Sequence, residues 1–254
     1  MNHPSSLVHA HAKIHPSASI GPWCIVEEDV EIGENVVLEC RVRVCQGTRI
    51  ASNTVVYDGA VLGAPPQDLK YQGERTFLEI GSSCTIREYC TLNRGTVATG
   101  RTVIGDKSLI MAYSHVGHDC ILGTGAVLAN GVQLGGHVYV GSFATIGGNT
   151  GVHQFCRVGD YSFVGGTLKV DRDVPPASRA LGNPLKWASI NLHALKRHAE
   201  DFPEERIRFI EKAYRELYRS SRPIQEVIEE LKKSEEPLFK TFFNDSWRGS
   251  IIRP

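Results

Sequence analysis

The segment IGDKSLIMAYSHVGHDCILGTGAVLANGVQL, residues 104–134, places an aliphatic residue at every sixth position. The same spacing extends back to Val8 and on to Val170, and a small or β-branched residue stands two positions before most of the aliphatic ones. Neither an α-helix nor an ordinary strand has a period of six, whereas one short strand per hexapeptide gives a parallel β-helix with three strands to a coil. The pattern therefore predicts a mainly β chain whose aliphatic side chains fill the interior of the β-helix.

Composition excludes several classes of protein. The 254 residues have a formal net charge of +0 and a pI near 7.1, so no overall field attracts nucleic acid. No apolar run approaches the length of a membrane span, and the N-terminus lacks the pattern of a signal peptide. Five of the seven cysteines occupy the small inward position of a hexapeptide, which predicts reduced core residues and a cytoplasmic location. These are Cys24, Cys84, Cys90, Cys120 and Cys156.

Two interruptions of the repeat, at residues 63–79 and 97–103, are predicted to leave the coil as projecting loops. Both preserve the count in multiples of six, so the coils on either side are expected to stack in register. The repeat stops after Val170, and the composition becomes helical from about Leu185. We therefore predict a β-helix over residues 1–184 and a C-terminal α-helical domain over 185–254. Pro203 and Pro223 are predicted to begin two of its helices.

A histidine and a carboxylate stand side by side in the segment SHVGHDC. Residues three hexapeptides apart lie on adjacent coils, so His118 shares a column with Gly136 and Gln154, and Asp119 shares one with His137. All of these are predicted to point outward. An imidazole can accept a proton from a hydroxyl, a neighbouring carboxylate can fix its tautomer, and an open glycine amide can stabilise an oxyanion. The alternative is that these polar residues are simply solvated.

The same histidines allow a second interpretation, because three of them could ligate zinc as in the trimeric β-helical carbonic anhydrases. The candidate ligands are His115, His118 and His137, but His115 and His118 belong to different hexapeptides, and the intervening corner is expected to turn them apart. We therefore predict no metal site. Lys70 in the first loop and Arg197 in the helical region are either solvated charges or contacts to an anionic substrate.

Seven motifs in this order resemble the UDP-N-acetylglucosamine O-acyltransferases, which catalyse the first step of lipid A biosynthesis. The motifs are QDLKY, NRGT, SHVGHDC, LGGHV, VHQFC, DVPP and LKR. The resemblance covers essentially the whole chain. The resemblance implies a left-handed parallel β-helix and a homotrimer with three active sites in clefts between the β-helices of adjacent subunits. It further implies transfer of an R-3-hydroxyacyl group from acyl carrier protein to the 3-hydroxyl of UDP-N-acetylglucosamine, without cofactor or covalent intermediate.

Position by position, the resemblance implies that His118 is the general base, Asp119 its orienting carboxylate and Gly136 the oxyanion amide. The substrate-binding residues that it implies are Asp68, Lys70, His115, His137, His153, Gln154, Gly166, Asn191 and Arg197. Among these, Asp68 matches a sugar contact, Asn191 and Arg197 match the uridine diphosphate end, and Gly166 matches the position that gauges acyl length. We expect Gly166 to lie in the His118 column and to favour chains of about twelve to fourteen carbons at about 4.8 Å per coil. Lys169 is the alternative end of that groove.

Two positions depart from the family pattern and leave alternatives open. Asn93 stands where some members have a histidine, so the acceptor is either the 3-hydroxy or a 3-amino sugar nucleotide. His198 follows Arg197 where some members have a second arginine. Three other functions compete with this one: a later N-acyltransferase of the pathway, a zinc carbonic anhydrase and a non-catalytic scaffold. The N-acyltransferases carry an additional N-terminal domain, for which the hexapeptides starting at Val8 are expected to leave no room.

Overall fold

The computed structural model describes residues 2–245, where short strands are followed by four helices. The strands of the first half are Leu7–Val8 (β1), Lys13–Ile14 (β2), Ser19–Ile20 (β3), Ile25–Val26 (β4), Glu31–Ile32 (β5), Val37–Leu38 (β6), Arg43–Val44 (β7), Thr48–Ile50 (β8), Val55–Val56 (β9), Val61–Ala64 (β10), Phe77–Ile80 (β11), Thr85–Ile86 (β12), Thr91–Asn93 (β13) and Arg101–Ile104 (β14).

The strands of the second half are Leu109–Ile110 (β15), His115–Val116 (β16), Ile121–Leu122 (β17), Val127–Leu128 (β18), Gln133–Leu134 (β19), Tyr139–Val140 (β20), Thr145–Ile146 (β21), Gly151–Val152 (β22), Arg157–Val158 (β23), Phe163–Val164 (β24), Lys169–Val170 (β25), Ser178–Leu181 (β26) and Lys186–Ile190 (β27). The helices are Leu192–Arg197 (α1), Glu204–Arg219 (α2), Ile224–Lys233 (α3) and Pro237–Asp245 (α4).

Up to β25, every third strand belongs to the same parallel sheet, and the three sheets form the faces of the predicted left-handed parallel β-helix. We name them the β1 sheet, the β2 sheet and the β3 sheet after their first strands. In uninterrupted coils, each residue pairs with the one three hexapeptides further along the chain, as His115 does with Gln133. The prediction of the fold from the six-residue period is therefore confirmed.

Most hexapeptides bury their first and fifth residues, as Val116 and Cys120 show, both with 0% exposure. Burying a valine-sized side chain stabilises the fold by about 1.5–3 kcal/mol, and the repeat adds this contribution at every strand. The fourth residue lies at a corner in the left-handed region, with φ of +59° at Asp119 and +61° at His137. The five inward cysteines are buried free thiols, as predicted.

Both interruptions project from the coil without disturbing its register. Val61 pairs with Thr91, five hexapeptides later, and Thr91 pairs with His115, four hexapeptides later, so each insertion adds only whole hexapeptides. The connections themselves are residues 65–76 and 94–100: the first is shorter than the predicted 63–79 at both ends, and the second is as long as the predicted 97–103 but begins and ends three residues earlier. The reason is that residues 77–79 and 101–103 already pair as strands β11 and β14.

The C-terminal segment begins with a strand where a helix was expected. Lys186–Ile190 pairs antiparallel with Ser178–Leu181, because this pairing extends the β3 sheet and buries Trp187. The first helix therefore begins at Leu192, and the domain division after residue 184 stays a prediction. Pro203 and Pro223 lie at the N-caps of α2 and α3, one residue before the predicted positions.

Helix α2 packs its apolar face against the C-terminal end of the β-helix. Its buried residues include Ile210, Tyr214 and Leu217 of the predicted packing face, and the Tyr214 hydroxyl donates a hydrogen bond to the Pro176 carbonyl. The Tyr214 ring stacks on Trp187 of β27, with centroids 5.7 Å apart. In residues 2–245 no helix combines the length and the apolar character that crossing a membrane requires.

Candidate active site

The predicted pair of His118 and Asp119 lies at the corner that follows β16 in the β1 sheet. Nδ1 of His118 is 2.7 Å from Oδ2 of Asp119, and the His118 side chain is 13% exposed whereas that of Asp119 is fully buried. Because a carboxylate can only accept, Nδ1 of His118 carries the proton in this contact. The lone pair of the neutral imidazole is then on Nε2, which is the atom available to take a proton from a substrate.

Asp119 turns outward from the coil, as predicted, but the loop of residues 94–100 covers it. Its Oδ1 accepts hydrogen bonds from the Thr96 amide at 3.0 Å and from the Thr99 hydroxyl, and its Oδ2 accepts one from the Thr96 hydroxyl at 2.7 Å. Burial by itself would raise the pKa of this carboxyl. The hydrogen bonds from His118, Thr99 and Thr96 outweigh burial and hold the pKa well below its ordinary value, so Asp119 is charged at neutral pH.

His137 packs on the other side of the pair. Its Nε2 is 3.7 Å from Oδ2 of Asp119, and its ring meets that of His118 edge to face with centroids 5.1 Å apart. On its far face the ring stacks against Phe155 at 4.5 Å. Burial lowers the pKa of His137, with the charge of His118 acting in the same direction and those of Asp119 and Asp68 opposing. A neutral His137 thus supports His118 without competing for its proton.

Gly136 lies one coil beyond His118, directly over its imidazole ring. A Cβ placed on Gly136 would be 2.5 Å from Cε1 and 2.6 Å from Nε2 of His118, far inside van der Waals contact. Within residues 2–245, the Gly136 amide N–H has no hydrogen-bond acceptor. The absence of a side chain therefore leaves room for the histidine and leaves a free donor beside it.

We expect Gly136→Ala to lower the activity of the site by at least about tenfold, because the new methyl group displaces the His118 ring from Asp119. The thermal midpoint should change little, since the ring can move towards solvent. Turnover should be measured for Gly136→Ala, for His118→Ala and for the double variant. In the background of His118→Ala, the second substitution should have no further effect. An equal loss in both backgrounds would contradict the steric explanation.

A cleft of about 530 Å³ runs along the β1 sheet beside this pair. Its floor includes a row of outward residues on successive coils, His115, Gln133, Gly151 and Lys169, which are in direct register. The predicted residues His118, Gly136, His153 and Gln154 line the same cleft, together with Asn93 and Gln67. Gly151 leaves open space above the floor, since an added Cβ there would meet no atom within 4 Å.

His115 lies on the cleft floor but takes no part in the cluster of His118, Asp119 and His137. Its Nδ1 is 2.8 Å from the Thr91 hydroxyl, and burial lowers its pKa. Beside the cleft, the histidine and carboxylate ligand atoms that lie within 4.8 Å of one another are those of His118, Asp119 and His137; a second such group, His9, His11 and Glu28, is exposed near the N-terminus. His115 is not among them, so the set of three histidines considered for zinc does not assemble.

The loop of residues 65–76 carries Asp68 and Lys70 beside the cleft. Lys70 is exposed, and its amide donates to Oδ1 of Asp68 at 2.9 Å. The charge of Asp68 is close enough to act on the pKa of His137. Gln67 of the same loop lines the cleft, whereas Lys70 does not line it in its own chain.

Three predicted site residues lie away from the cleft of their own chain. Gly166 was expected to lie in the His118 column. It follows β24 of the β3 sheet instead, and its column includes Gly148. A Cβ on Gly166 would be 3.0 Å from the Gly148 carbonyl oxygen. Asn191 caps α1 and donates to the Tyr161 carbonyl at 2.8 Å, and Arg197 is exposed on the same helix.

The sequence reasoning missed the residues that hold Asp119 in place. Thr96 and Thr99 donate to its carboxylate, and the Thr102 hydroxyl accepts from its amide at 2.8 Å. The available signal is the threonine-rich composition of the second interruption, which predicts only a break in the repeat. Gln133 was also missed, although its place three hexapeptides after His115 puts it on the cleft floor.

Comparisons with known proteins agree on one family. A family model described as UDP N-acetylglucosamine O-acyltransferase, domain 2, matches residues 173–251, and a bacterial transferase hexapeptide model matches residues 101–136. Acyl-[acyl-carrier-protein]--UDP-N-acetylglucosamine O-acyltransferases from Verminephrobacter eiseniae and Campylobacter concisus are 41% and 38% identical to the chain. They cover 85% and 97% of this chain, which in turn covers 82% and 95% of theirs.

Solved structures give the same result. The crystal structure of UDP-N-acetylglucosamine acyltransferase from Francisella novicida superposes with a TM-score of 0.95 at 36% identity. The match covers 100% of this chain and 95% of that one. Both projecting loops and the C-terminal helices are therefore part of the shared architecture.

Proposed function

Because the chain belongs to the acyl-[acyl-carrier-protein]--UDP-N-acetylglucosamine O-acyltransferases, we propose that it transfers an R-3-hydroxyacyl group from acyl carrier protein to the glucosamine 3-position of UDP-N-acetylglucosamine. The chain is an acyltransferase, and the proposed reaction belongs to lipid A biosynthesis. The observation that carries the finer proposal is the 2.7 Å contact between Nδ1 of His118 and Asp119 at the edge of an open cleft.

The proposed reaction begins when Nε2 of His118 takes the proton of the sugar 3-hydroxyl. The oxygen attacks the carbonyl carbon of the acyl thioester, and the amide N–H of Gly136 stabilises the resulting oxyanion. When this intermediate collapses, the carbon–sulfur bond breaks and the departing sulfur takes the proton from the His118 imidazolium. Asp119 stays ionised throughout and stabilises that imidazolium. No covalent acyl-enzyme is needed in this sequence.

A zinc enzyme is the alternative that the cluster of His118, Asp119 and His137 invites. The carboxylate of Asp119 already accepts four hydrogen bonds, from His118, the Thr96 amide, the Thr96 hydroxyl and Thr99. A carboxylate has about four lone-pair sites, so none is left on Asp119 for a metal ion, and the two histidines are the remaining ligands of the cluster. This saturation favours the metal-free acyl transfer.

The predicted substrate-binding residues outside the cleft of their own chain are proposed to act in a homotrimer. Lys70 projects from the coil, and Asn191 and Arg197 lie on α1 or at its cap, outside the cleft of their own chain. We propose that each active site combines the His118 cleft of one chain with residues of an adjacent one, including Lys70. The cleft of a single chain is open, which supports a site completed by a neighbour. The cytoplasm is the proposed location, where acyl carrier protein and the sugar nucleotide are the expected partners.

Whether the acceptor is a 3-hydroxy or a 3-amino sugar is tested directly by assay. Purified protein should be incubated with R-3-hydroxyacyl carrier protein and either UDP-N-acetylglucosamine or its 3-amino analogue, and the products analysed by mass spectrometry. We expect an ester product from UDP-N-acetylglucosamine. Failure to acylate either nucleotide would contradict the proposed function.

Lys169 rather than Gly166 is expected to set the acyl length, because Lys169 closes the row that starts at His115. Lys169→Ala removes about three methylene groups and the ammonium group, so it should extend the preferred acyl chain by about four carbons. Gly166→Met should change the preference less, because its side chain presses on the Gly148 carbonyl instead of entering the cleft. Relative rates with carrier proteins bearing 10 to 18 carbons, roughly the span in question, measure both effects. A shift with Gly166→Met alone would overturn this assignment.

A further inference from the structure

Arg94, which directly follows β13, is a buried arginine at the base of the first projecting loop, with 6% of its surface exposed. Its Nη1 donates to the carbonyl oxygens of Gln46 and Gly63, each at 3.3 Å. Its Nε and Nη2 both donate to the hydroxyl of Tyr71, at 3.0 and 2.9 Å. A buried guanidinium is costly unless its donors are satisfied, and here a loop residue satisfies two of them.

The Tyr71 hydroxyl uses its full hydrogen-bonding capacity in this contact. It accepts the two guanidinium bonds and donates to the Glu74 carbonyl at 2.9 Å. A hydroxyl has one donor and two acceptor sites, so all three are occupied. This single oxygen therefore joins the coil, through Arg94, to two points of the loop.

The loop residues of functional interest lie immediately before Tyr71. The Tyr71 amide donates to the Asp68 carbonyl at 3.0 Å, and the Lys70 amide donates to the Asp68 carboxylate at 2.9 Å. The segment from Asp68 to Tyr71 is thus a closed turn. Fixing the Tyr71 hydroxyl fixes the position of this turn relative to the coil.

A second contact between loop and coil differs in its environment. Arg75 donates to Oδ2 of Asp29 at 3.0 and 3.3 Å, but the Arg75 side chain is 76% exposed. Exposed ion pairs contribute little to stability, whereas leaving buried charged donors unsatisfied is costly. The Arg94–Tyr71 contact is therefore expected to dominate, and Arg75 supplies a matched control on the same loop.

We propose that Arg94, acting through the hydroxyl of Tyr71, is a positioning residue that holds Asp68 and Lys70 in the geometry needed to bind the sugar nucleotide. The proposal rests on the proposed function for the role of Asp68 and Lys70. The contact itself is independent of that role. A loop freed from Arg94 must be ordered again by the substrate, so the loss should appear in KM more than in kcat.

Tyr71→Phe tests the contact with the smallest change, because it removes one oxygen and keeps the ring. We expect trypsin cleavage after Lys70 to become about tenfold faster, since two buried guanidinium donors lose their acceptor in the closed state. KM for UDP-N-acetylglucosamine should rise about tenfold, with kcat within about twofold of the unsubstituted protein. Arg75→Gln should change cleavage after Lys70 and KM by less than about twofold.

Arg94→Lys and Arg94→Met complete the experiment. Lysine keeps a charge and can restore one bond to Tyr71, so its KM should lie between those of the unsubstituted protein and Arg94→Met. Thermal unfolding identifies any variant that fails to fold, and Tyr71→Phe then decides the outcome by itself. Unchanged cleavage after Lys70 in folded Tyr71→Phe would overturn the proposal, even if KM changed. Absence of acyl transfer in the unsubstituted protein would instead contradict the proposed function, while the cleavage assay would still report on Arg94.

Discussion

His118→Ala is expected to lower the rate of acyl transfer by about 10²–10⁴-fold, the contribution typical of a positioned general base. His118 presents Nε2 to the cleft because Nδ1 is committed to Asp119. Its removal leaves the sugar hydroxyl without an acceptor for its proton. Initial rates under saturating carrier protein and sugar nucleotide, measured by mass spectrometry of the product, give the size of the effect.

Two controls separate chemistry from folding. The thermal midpoint and the binding of UDP-N-acetylglucosamine by calorimetry should stay close to those of the unsubstituted protein, because His118 is not part of the packed core. Asp119→Asn should be the milder variant, since it disturbs the orientation of His118 without deleting the base. A rate for His118→Ala above about a tenth of the unsubstituted rate would remove His118 from the role of general base.

Trimers that combine Lys70→Ala and His118→Ala chains are expected to regain about one third of the normal activity. If each site takes Lys70 from one chain and His118 from its neighbour, a ring of three containing both variants always has one intact site. Each variant alone should be nearly inactive. The two chains should carry different affinity tags, so that mixed trimers are purified over two columns before the assay.

The comparison that interprets this result is a trimer in which both substitutions lie on the same chain, mixed with unsubstituted chains. Trimers with one doubly substituted chain should keep one intact site and retain activity, which shows that mixing by itself does no harm, whereas trimers with two such chains should keep none. If verified mixed trimers of the two single variants stay as inactive as their parents, each site is built within one chain. Lys70 would then have to reach the cleft of its own subunit.

The β-helix could be predicted because the residues that fill its interior recur at every sixth position. Nearly all coils bury the same positions, so Val116 and Cys120 are buried for the same local reason as their counterparts on other coils. The strand at Lys186–Ile190 could not be predicted in this way. It forms because an antiparallel partner, Ser178–Leu181, is already in place, and the segment shows no six-residue repeat of its own.

The site was predictable where it follows the stacking of coils and unpredictable where a loop folds back on the coil. The spacing of three hexapeptides per coil was enough to bring together His118, Gly136 and Gln154. It does not show that residues 94–100 return to cover Asp119, which depends on the path of an irregular segment. The prediction that Gly166 shares the His118 column was wrong because its hexapeptide belongs to a different face of the coil.

The length of the cleft can be counted in strand spacings along the row from His115 to Lys169. The base, His118, follows β16, and Lys169 lies three strands further along the same sheet, with a strand spacing of about 4.8 Å. A duplicated coil inserted between β22 and β25 would move the far end by one such increment and leave the chemistry at His118 untouched. Among proteins with this architecture, substrate length can therefore evolve by two independent routes: whole steps through the number of coils, and fractions of a step through the side chain that ends the row.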